Sequence, residues 1–196
     1  MAPRTARIER VTKETQLTLE LDLDGSGRFE GGVGVPFLEH MLELLTRQAL
    51  VDLTLKGAGD LQVDAHHTVE DAGIVLGQAF REAVGDKRGI ARFGEAFVPM
   101  EEALALVVLD VCNRPYFAFN ADLPKSKVGE FDVELLEEFL RAFVVNAGLT
   151  AHVRLECGSN LHHSAEAIFK ALGRALRQAV TIDPRIQGVH STKGAL

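Results

Sequence analysis

HHTVE at residues 66–70 and HHSAE at residues 162–166 are two copies of the pentapeptide HHxxE in a chain of 196 residues. The copies begin 96 residues apart, which is close to half of the chain length. With only 7 histidines in the whole chain, two chance occurrences of a pattern with adjacent histidines are improbable. The sequence therefore predicts an internal duplication in which each half carries one copy of the motif.

Hydrophobic periodicity around each motif predicts the same order of elements in both halves. The elements predicted in the first half are a strand at 15–23, a turn at 24–27 leading to a hairpin partner at 28–35, a helix from Pro36, a strand at 50–55 and a helix at 66–84. Those predicted in the second half are strands at 103–111 and 116–120, a helix at 132–146, a strand at 149–155 and a helix at 162–180. Each half is thus predicted to be a ββαβα unit.

These patterns predict an α+β fold made of two similar units, residues 1–88 and residues 89–196. Each half is expected to be a two-layer α/β sandwich, with an antiparallel sheet and two helices on one face. Neither half alone can bury both of its layers, so the halves are expected to pack as one unit, either helix layer to helix layer or sheet to sheet.

Each HHxxE motif places nitrogen and oxygen ligands on a helix. The first His and the Glu stand at i and i+4 on one face, whereas the second His points about 100° around the axis. Each motif is therefore predicted to serve two different metal ions. We hypothesise that one ion binds the His66/Glu70 pair with His163, and the other binds the His162/Glu166 pair with His67. Imidazole and carboxylate ligands without thiolates favour Mn²⁺, Fe²⁺, Co²⁺ or Zn²⁺. The alternative is that these histidines only decorate two helix starts.

Composition excludes several classes of protein. A net charge of −7 argues against broad binding to nucleic acid or to an anionic membrane, so an anionic ligand requires a local basic pocket. The two cysteines, Cys112 and Cys157, lack zinc-finger spacing and are expected to be reduced thiols. The N-terminal residues lack the apolar stretch of a signal peptide, and the longest apolar run, at 104–109, is too short to cross a bilayer. The expected location is the cytoplasm.

Seven stretches along the chain carry a resemblance to one family. They are residues 12–15 (TKET), 37–42 (FLEHML), 64–71 (DAHHTVED), 85–90 (GDKRGI), 113–115 (NRP), 161–163 (LHH) and 191–194 (STKG). Their order and spacing resemble those of imidazoleglycerol-phosphate dehydratase, the lyase of histidine biosynthesis, over essentially the whole chain. The resemblance implies that the duplicated units have the ribosomal protein S5 domain 2-like fold.

The resemblance also implies a reaction and its cofactor. Imidazole glycerol phosphate is dehydrated to imidazole acetol phosphate with two Mn²⁺ ions per active site, which hold the substrate ring as an imidazolate. Seven residues are implied as metal ligands and therefore also as parts of the catalytic site: His40, His66, His67, Glu70, His162, His163 and Glu166. The eighth ligand falls at Glu138, where many relatives carry His. His152 ranks below it, because the alternation of 149–155 makes it an ordinary strand residue.

Further residues are implied to contact the substrate. Glu14 matches the general acid/base, which the reaction needs because a carbon-bound proton is removed and hydroxide leaves from the neighbouring carbon. The resemblance implies that electrons of the metal-bound imidazolate expel the hydroxyl and that the carboxylate then moves the proton. The residues matched to phosphate binding are Arg92, Arg114, Lys170, Ser191 and Lys193, the last two in the C-terminal tail. A dianionic ester requires several fixed donors of this kind. Leu44 stands where relatives carry Gln, so one polar contact to phosphate is expected to be missing.

The assembly is expected to be a large homo-oligomer. The histidines of each motif point in two different directions, so a single chain is not expected to bring all the ligands of one metal ion together. Members of the resembled family form shells of 24 chains with active sites between neighbours. Two other functions are compatible with the motifs alone. One is a dinuclear metallohydrolase, since paired His/Glu sites also activate water. The other is a non-catalytic metal-binding shell protein.

Overall fold

The computed structural model describes residues 3–196, which form two sheets of four strands, a short two-stranded sheet and four helices. The elements of the first half are β1 (Thr5–Val11), β2 (Thr15–Asp22), β3 (Phe29–Gly32), α1 (Pro36–Ala49), β4 (Asp52–Gly59) and α2 (His66–Val84). Those of the second half are β5 (Phe93–Met100), β6 (Ala103–Val111), β7 (Tyr116–Asn120), β8 (Lys127–Val128), β9 (Phe131–Asp132), α3 (Leu135–Ala147), β10 (Leu149–Cys157) and α4 (Leu161–Val180).

The two large sheets have the same topology, which supports the duplication predicted from the motifs. The first sheet has the order β1-β2-β4-β3 and the second has the order β5-β6-β10-β7. In each sheet the last strand pairs in parallel and the other pairs are antiparallel. The α+β fold class is therefore confirmed, although each unit begins with a strand that was not predicted, and the second unit also contains the unpredicted short strands β8 and β9.

The two longer strands that were not predicted, β1 and β5, have weak hydrophobic patterns for identifiable reasons. The covered face of β1 carries only the small residue Ala6, which is buried, and Ile8 and Arg10, which are partly exposed. Arg10 forms an ion pair of 2.8 Å with a carboxylate of α2. In β5 the larger apolar residues point the other way, because Phe93 and Phe97 are 54% and 61% exposed while small residues face α4. Neither strand therefore shows the apolar face that a half-buried strand usually presents.

The predicted hairpin between the strands now defined as β2 and β3 is wrong. β3 pairs in parallel with β4 instead, on the edge of that strand opposite to β2. Asp52, the first residue of β4, holds the loop between β2 and β3 in place. Its carboxylate accepts hydrogen bonds from the backbone N–H groups of Ser26 (2.7 Å) and Arg28 (3.0 Å). Burial alone would raise the pKa of Asp52, but these bonds and the Arg28 guanidinium hold the pKa well below its ordinary value.

The 132–146 helix was also predicted too long, since Asp132 belongs to β9 and α3 begins at Leu135.

The halves pack helix layer to helix layer, one of the two predicted arrangements. α1 packs against α4 and α2 packs against α3, so each helix pair joins the two halves. Gly77 of α2 and Gly173 of α4 lie at equivalent positions, 96 residues apart, and both are sites of close helix approach. A Cβ atom on Gly173 would lie 2.5 Å from the Leu45 carbonyl oxygen of α1. The absence of a side chain at these positions sets the distance between the paired helices.

The C-terminal residues fold back onto the connection between the halves. Isolated β-bridges join Arg88 to Val189 and Ile90 to Ile182. This places the tail beside the start of the second half. Within residues 3–196, none of the helices has the length and apolar character needed to cross a membrane.

Candidate metal centre and cationic cavity

Three potential metal ligands converge where α1 crosses the first turns of α4. Nε2 of His40 lies 3.0 Å from Oε1 of Glu166, and Nε2 of His162 lies 3.1 Å from the same oxygen. The side chain of Asn160 caps α4 by accepting hydrogen bonds from the backbone N–H groups of His162 and His163. The local fold therefore fixes the start of the helix on which the HHxxE motif stands.

The donor set of this group suits a divalent cation. One ligand atom from each of His40, His162 and Glu166 falls within a region 4.8 Å across, which gives two imidazole nitrogens and one carboxylate oxygen. Burial alone would raise the pKa of Glu166, but hydrogen bonds from Lys170 and His40 outweigh it and lower the pKa to about 2. The carboxylate is thus ionised at neutral pH, as a metal ligand must be.

Lys170 lies in this group rather than in a separate anion site. Its Nζ atom is 2.6 Å from Oε2 of Glu166 and 3.2 Å from the sulfur of Met100, and its side chain is only 19% exposed. Its predicted contact with a substrate phosphate therefore stays a prediction, and any phosphate that it binds must approach the metal ligands.

The second histidine of each motif is held by a carboxylate that sequence reasoning missed. Nδ1 of His163 lies 2.8 Å from Glu102, and Nδ1 of His67 lies 3.0 Å from Asp60. The hydrogen bond to Asp60 raises the pKa of His67, and the one to Glu102 raises the pKa of His163. The same bond from His163 lowers the pKa of Glu102 to about 2.

Among residues 3–196, Glu101, Glu102 and His163 form a second possible ligand group, whereas His66, Glu70 and Glu138 belong to neither group. Because α2 packs on α3 while α4 packs on α1, the hypothesised set of His66, Glu70 and His163 is not assembled within one chain. It stays a prediction that requires two chains. His152, the lower-ranked ligand, is an exposed residue of β10 whose ring lies near that of Tyr116, with centroids 5.6 Å apart and planes tilted by 42°.

A cationic cavity of about 940 Å³ lies between β5, the end of β6 and the C-terminal tail. It brings together four of the five residues predicted to bind phosphate, namely Arg92, Arg114, Ser191 and Lys193. Arg92 is oriented by two hydrogen bonds to Asp110, of 2.7 and 2.9 Å, and donates a third to the carbonyl oxygen of His190. The cavity thus combines one largely buried guanidinium with the more exposed cations of Arg114 and Lys193, but no residue of either HHxxE motif lines it.

The duplicated fold, the group of His and Glu ligands and the cationic cavity define a class of internally duplicated α+β proteins with a histidine-rich candidate metal site. Comparison with known proteins assigns this chain within that class. The family model described as imidazoleglycerol-phosphate dehydratase matches residues 33–176. The chain belongs to this family.

Named relatives agree with this assignment over nearly the full chain. The chain is 58% identical to the imidazoleglycerol-phosphate dehydratase of Moorella thermoacetica over 193 residues, covering 98% of both chains. It is 56% identical to that of Pelobacter propionicus, covering 98% of this chain and 99% of the relative. The crystal structure of the Staphylococcus aureus dehydratase superposes with a TM-score of 0.82 at 45% identity, covering 91% of this chain and 99% of that one. That of the Pyrococcus furiosus enzyme gives a TM-score of 0.81 at 38% identity, covering 96% and 100%.

Proposed function

We propose that this chain is a hydro-lyase that dehydrates imidazole glycerol phosphate to imidazole acetol phosphate and water, a step of histidine biosynthesis. The observation that carries the proposal is the convergence of His40, His162 and Glu166 from both halves, in a chain that belongs to the dehydratase family. The relatives are named as dehydratases, which gives no support to the alternative of a dinuclear metallohydrolase.

The metal would be held by the predicted His and Glu ligands, and we propose two Mn²⁺ ions per active site. When bound, such an ion supplies positive charge that stabilises electrons displaced into the substrate ring. His40, His162 and Glu166 would hold one ion, and this set has the nitrogen and oxygen donors that Mn²⁺ accepts. The remaining predicted ligands, His66, His67, Glu70, Glu138 and His163, would complete the two sites.

Glu14 is proposed to move the carbon-bound proton. It directly precedes β2, its side chain is 53% exposed, and its Oε1 atom lies 3.9 Å from Nε2 of His67. A carboxylate at this distance from a ligand nitrogen can reach a substrate atom placed beside that ligand. Removal of this proton, after hydroxide has left the neighbouring carbon, gives an enol that becomes the ketone.

The substrate phosphate is proposed to bind in the cationic cavity. Arg92 and Arg114 line its wall, and Ser191 and Lys193 of the tail add further donors. Several donors are needed, because each hydrogen bond to a charged group contributes only about 1.5–3 kcal/mol against water. Leu44 is half-buried against the core and does not line this cavity, so the missing polar contact expected at this position stays a prediction.

The arrangement of these parts supports active sites shared between chains. The His40/His162 face opens onto a different cavity, of about 860 Å³, which is lined by neither Arg92 nor Lys193. We propose that a neighbouring chain brings its cationic cavity to the metal ligands, in a closed shell of 24 chains located in the cytoplasm. Each chain would then contribute to more than one active site.

Incubation of the purified oligomer with Mn²⁺ and imidazole glycerol phosphate tests the function. The expected product is the ketone, whereas a hydrolase would release phosphate and a shell protein would release nothing. Glu14→Gln is expected to abolish turnover while the metal stays bound. Glu20→Gln, an exposed residue further along the same strand, is the matched control and should leave the rate unchanged. A near-normal rate for Glu14→Gln would show that Glu14 is only a surface carboxylate.

A further inference from the structure

Asp60 and Glu102 are the two carboxylates that contact the second histidine of each HHxxE motif. Both accept from Nδ1 of the ring, Asp60 from His67 and Glu102 from His163. A histidine that donates from Nδ1 has its proton fixed on that nitrogen, which leaves Nε2 with a lone pair for a metal ion. We propose that Asp60 and Glu102 are positioning residues that hold His67 and His163 in the tautomer and orientation needed for metal binding.

The proposal rests on the metal-binding role given to these histidines above, and it adds residues that the motifs do not contain. Both carboxylate oxygens of Glu102 are held by hydrogen bonds. Its Oε1 atom accepts hydrogen bonds from the backbone N–H groups of Ser159 (3.3 Å) and Asn160 (2.8 Å), while Oε2 faces His163. One side chain therefore ties the turn between β5 and β6 to the start of α4 and to the imidazole ring.

Glu102 and Glu14 occupy equivalent positions in the two halves. Glu102 directly precedes β6, as Glu14 directly precedes β2, and each lies near the second histidine of its own half. Their contacts differ, because Glu102 approaches Nδ1 of His163 at 2.8 Å whereas Glu14 lies 3.9 Å from Nε2 of His67. Glu102 is thus engaged in a hydrogen bond to His163, whereas Glu14 makes no such bond to His67.

Asp60 accounts for this difference between the halves. Gly59 and Gly158 are equivalent, since an added Cβ atom on either would collide with the hydroxyl of the third motif residue, Thr68 or Ser164. Asp60 therefore corresponds to Ser159, which has no carboxylate. In the first half Asp60 orients His67 and leaves Glu14 available for proton transfer. In the second half Ser159 cannot do so, and Glu102 orients His163 instead.

The test measures Mn²⁺ affinity of the metal-stripped full-length protein by calorimetry, separately from turnover. Loss of an orienting partner is expected to weaken binding roughly 10- to 100-fold. Asp60→Ala should show this loss, and Asp60→Asn, which keeps an acceptor, should show a smaller one. Glu102→Ala should also weaken binding, and adding Ser159→Asp should restore part of the affinity by recreating the arrangement of the first half.

Glu101→Gln tests the alternative of direct ligation, because Glu101 belongs to the same possible ligand group as Glu102 but makes no hydrogen bond to His163. Glu95→Gln, on the exposed face of β5, is the matched control and should leave the Mn²⁺ affinity unchanged. If Glu101→Gln weakens binding as much as Glu102→Gln, the two glutamates are direct ligands and the proposal is overturned. Unchanged affinity in Asp60→Ala overturns it as well, and that variant does not disturb the loop that Glu102 holds. A wild-type protein that binds Mn²⁺ but does not dehydrate the substrate contradicts the proposed function alone. A wild-type protein that binds no Mn²⁺ contradicts both.

Discussion

Replacing Gly173 by Ala tests whether the close packing of α1 on α4 assembles the metal ligands. The added Cβ atom would lie 2.5 Å from the carbonyl oxygen of Leu45 and 2.9 Å from Cβ of Gln48. Neither atom can rotate away, because both are fixed to the backbone of α1. The two helices must therefore separate, and His40 moves with α1 while Glu166 stays on α4.

The size of the effect follows from these distances. Relaxing the 2.5 Å contact to the usual range of about 3.5 Å requires a helix shift of about 1 Å. Overpacking of this kind costs roughly 1–3 kcal/mol, and the better helix propensity of Ala offsets about 1 kcal/mol of it. We expect a net loss of up to about 2 kcal/mol in stability, which lowers the unfolding midpoint by several degrees. Mn²⁺ affinity should fall roughly tenfold as the 3.0 Å contact between His40 and Glu166 opens.

Thermal unfolding of the metal-free protein and calorimetric titration with Mn²⁺ measure the two effects. Arg174→Ala is the matched control, because it changes the next residue of α4 on the exposed face. Helix propensity alone predicts that Gly173→Ala stabilises the protein. A raised unfolding midpoint together with unchanged Mn²⁺ affinity would therefore refute the role given to this contact.

Four further outcomes are expected. His162→Ala should lower the bound metal, measured by elemental analysis, together with the rate, and a rate that survives complete metal removal would contradict the metal's role. Chelation should convert the oligomer into smaller species that Mn²⁺ rebuilds, as followed by light scattering; a particle that stays large after verified metal removal would exclude bridging by the metal. Lys193→Ala should raise the KM for the phosphorylated substrate roughly tenfold, while Lys125→Ala, whose side chain is 91% exposed, should not change it. The pKa of Asp52 is lowered in the folded state, so its stabilisation is present above about pH 4 and is lost as the pH falls further. Asp52→Asn should therefore cost roughly 1–3 kcal/mol at pH 7 and less than this at pH 2 in urea unfolding, and an equal loss at both pH values would contradict this account.

Features that depend on residues close together along the chain could be predicted before the fold was known. The two HHxxE motifs predicted the duplication and the kind of ligand, because the first His and the Glu share a helix face through backbone geometry alone. Alternation and helical periodicity located most strands and all four helices. The family resemblance further named Arg92, Arg114, Ser191 and Lys193, which the structure brings to one cavity.

Features that depend on which helix faces and strand edges meet could be seen only in the folded chain. The pairing of β3 with β4, the contact of His40 with Glu166 across 126 residues, and the carboxylates behind His67 and His163 join residues that no local pattern relates. Asp60 and Glu102 could be recognised only after both halves were compared in space. The physical reason is that hydrophobic periodicity records how much of a segment is buried, whereas pairing and ligand geometry depend on which partner covers it.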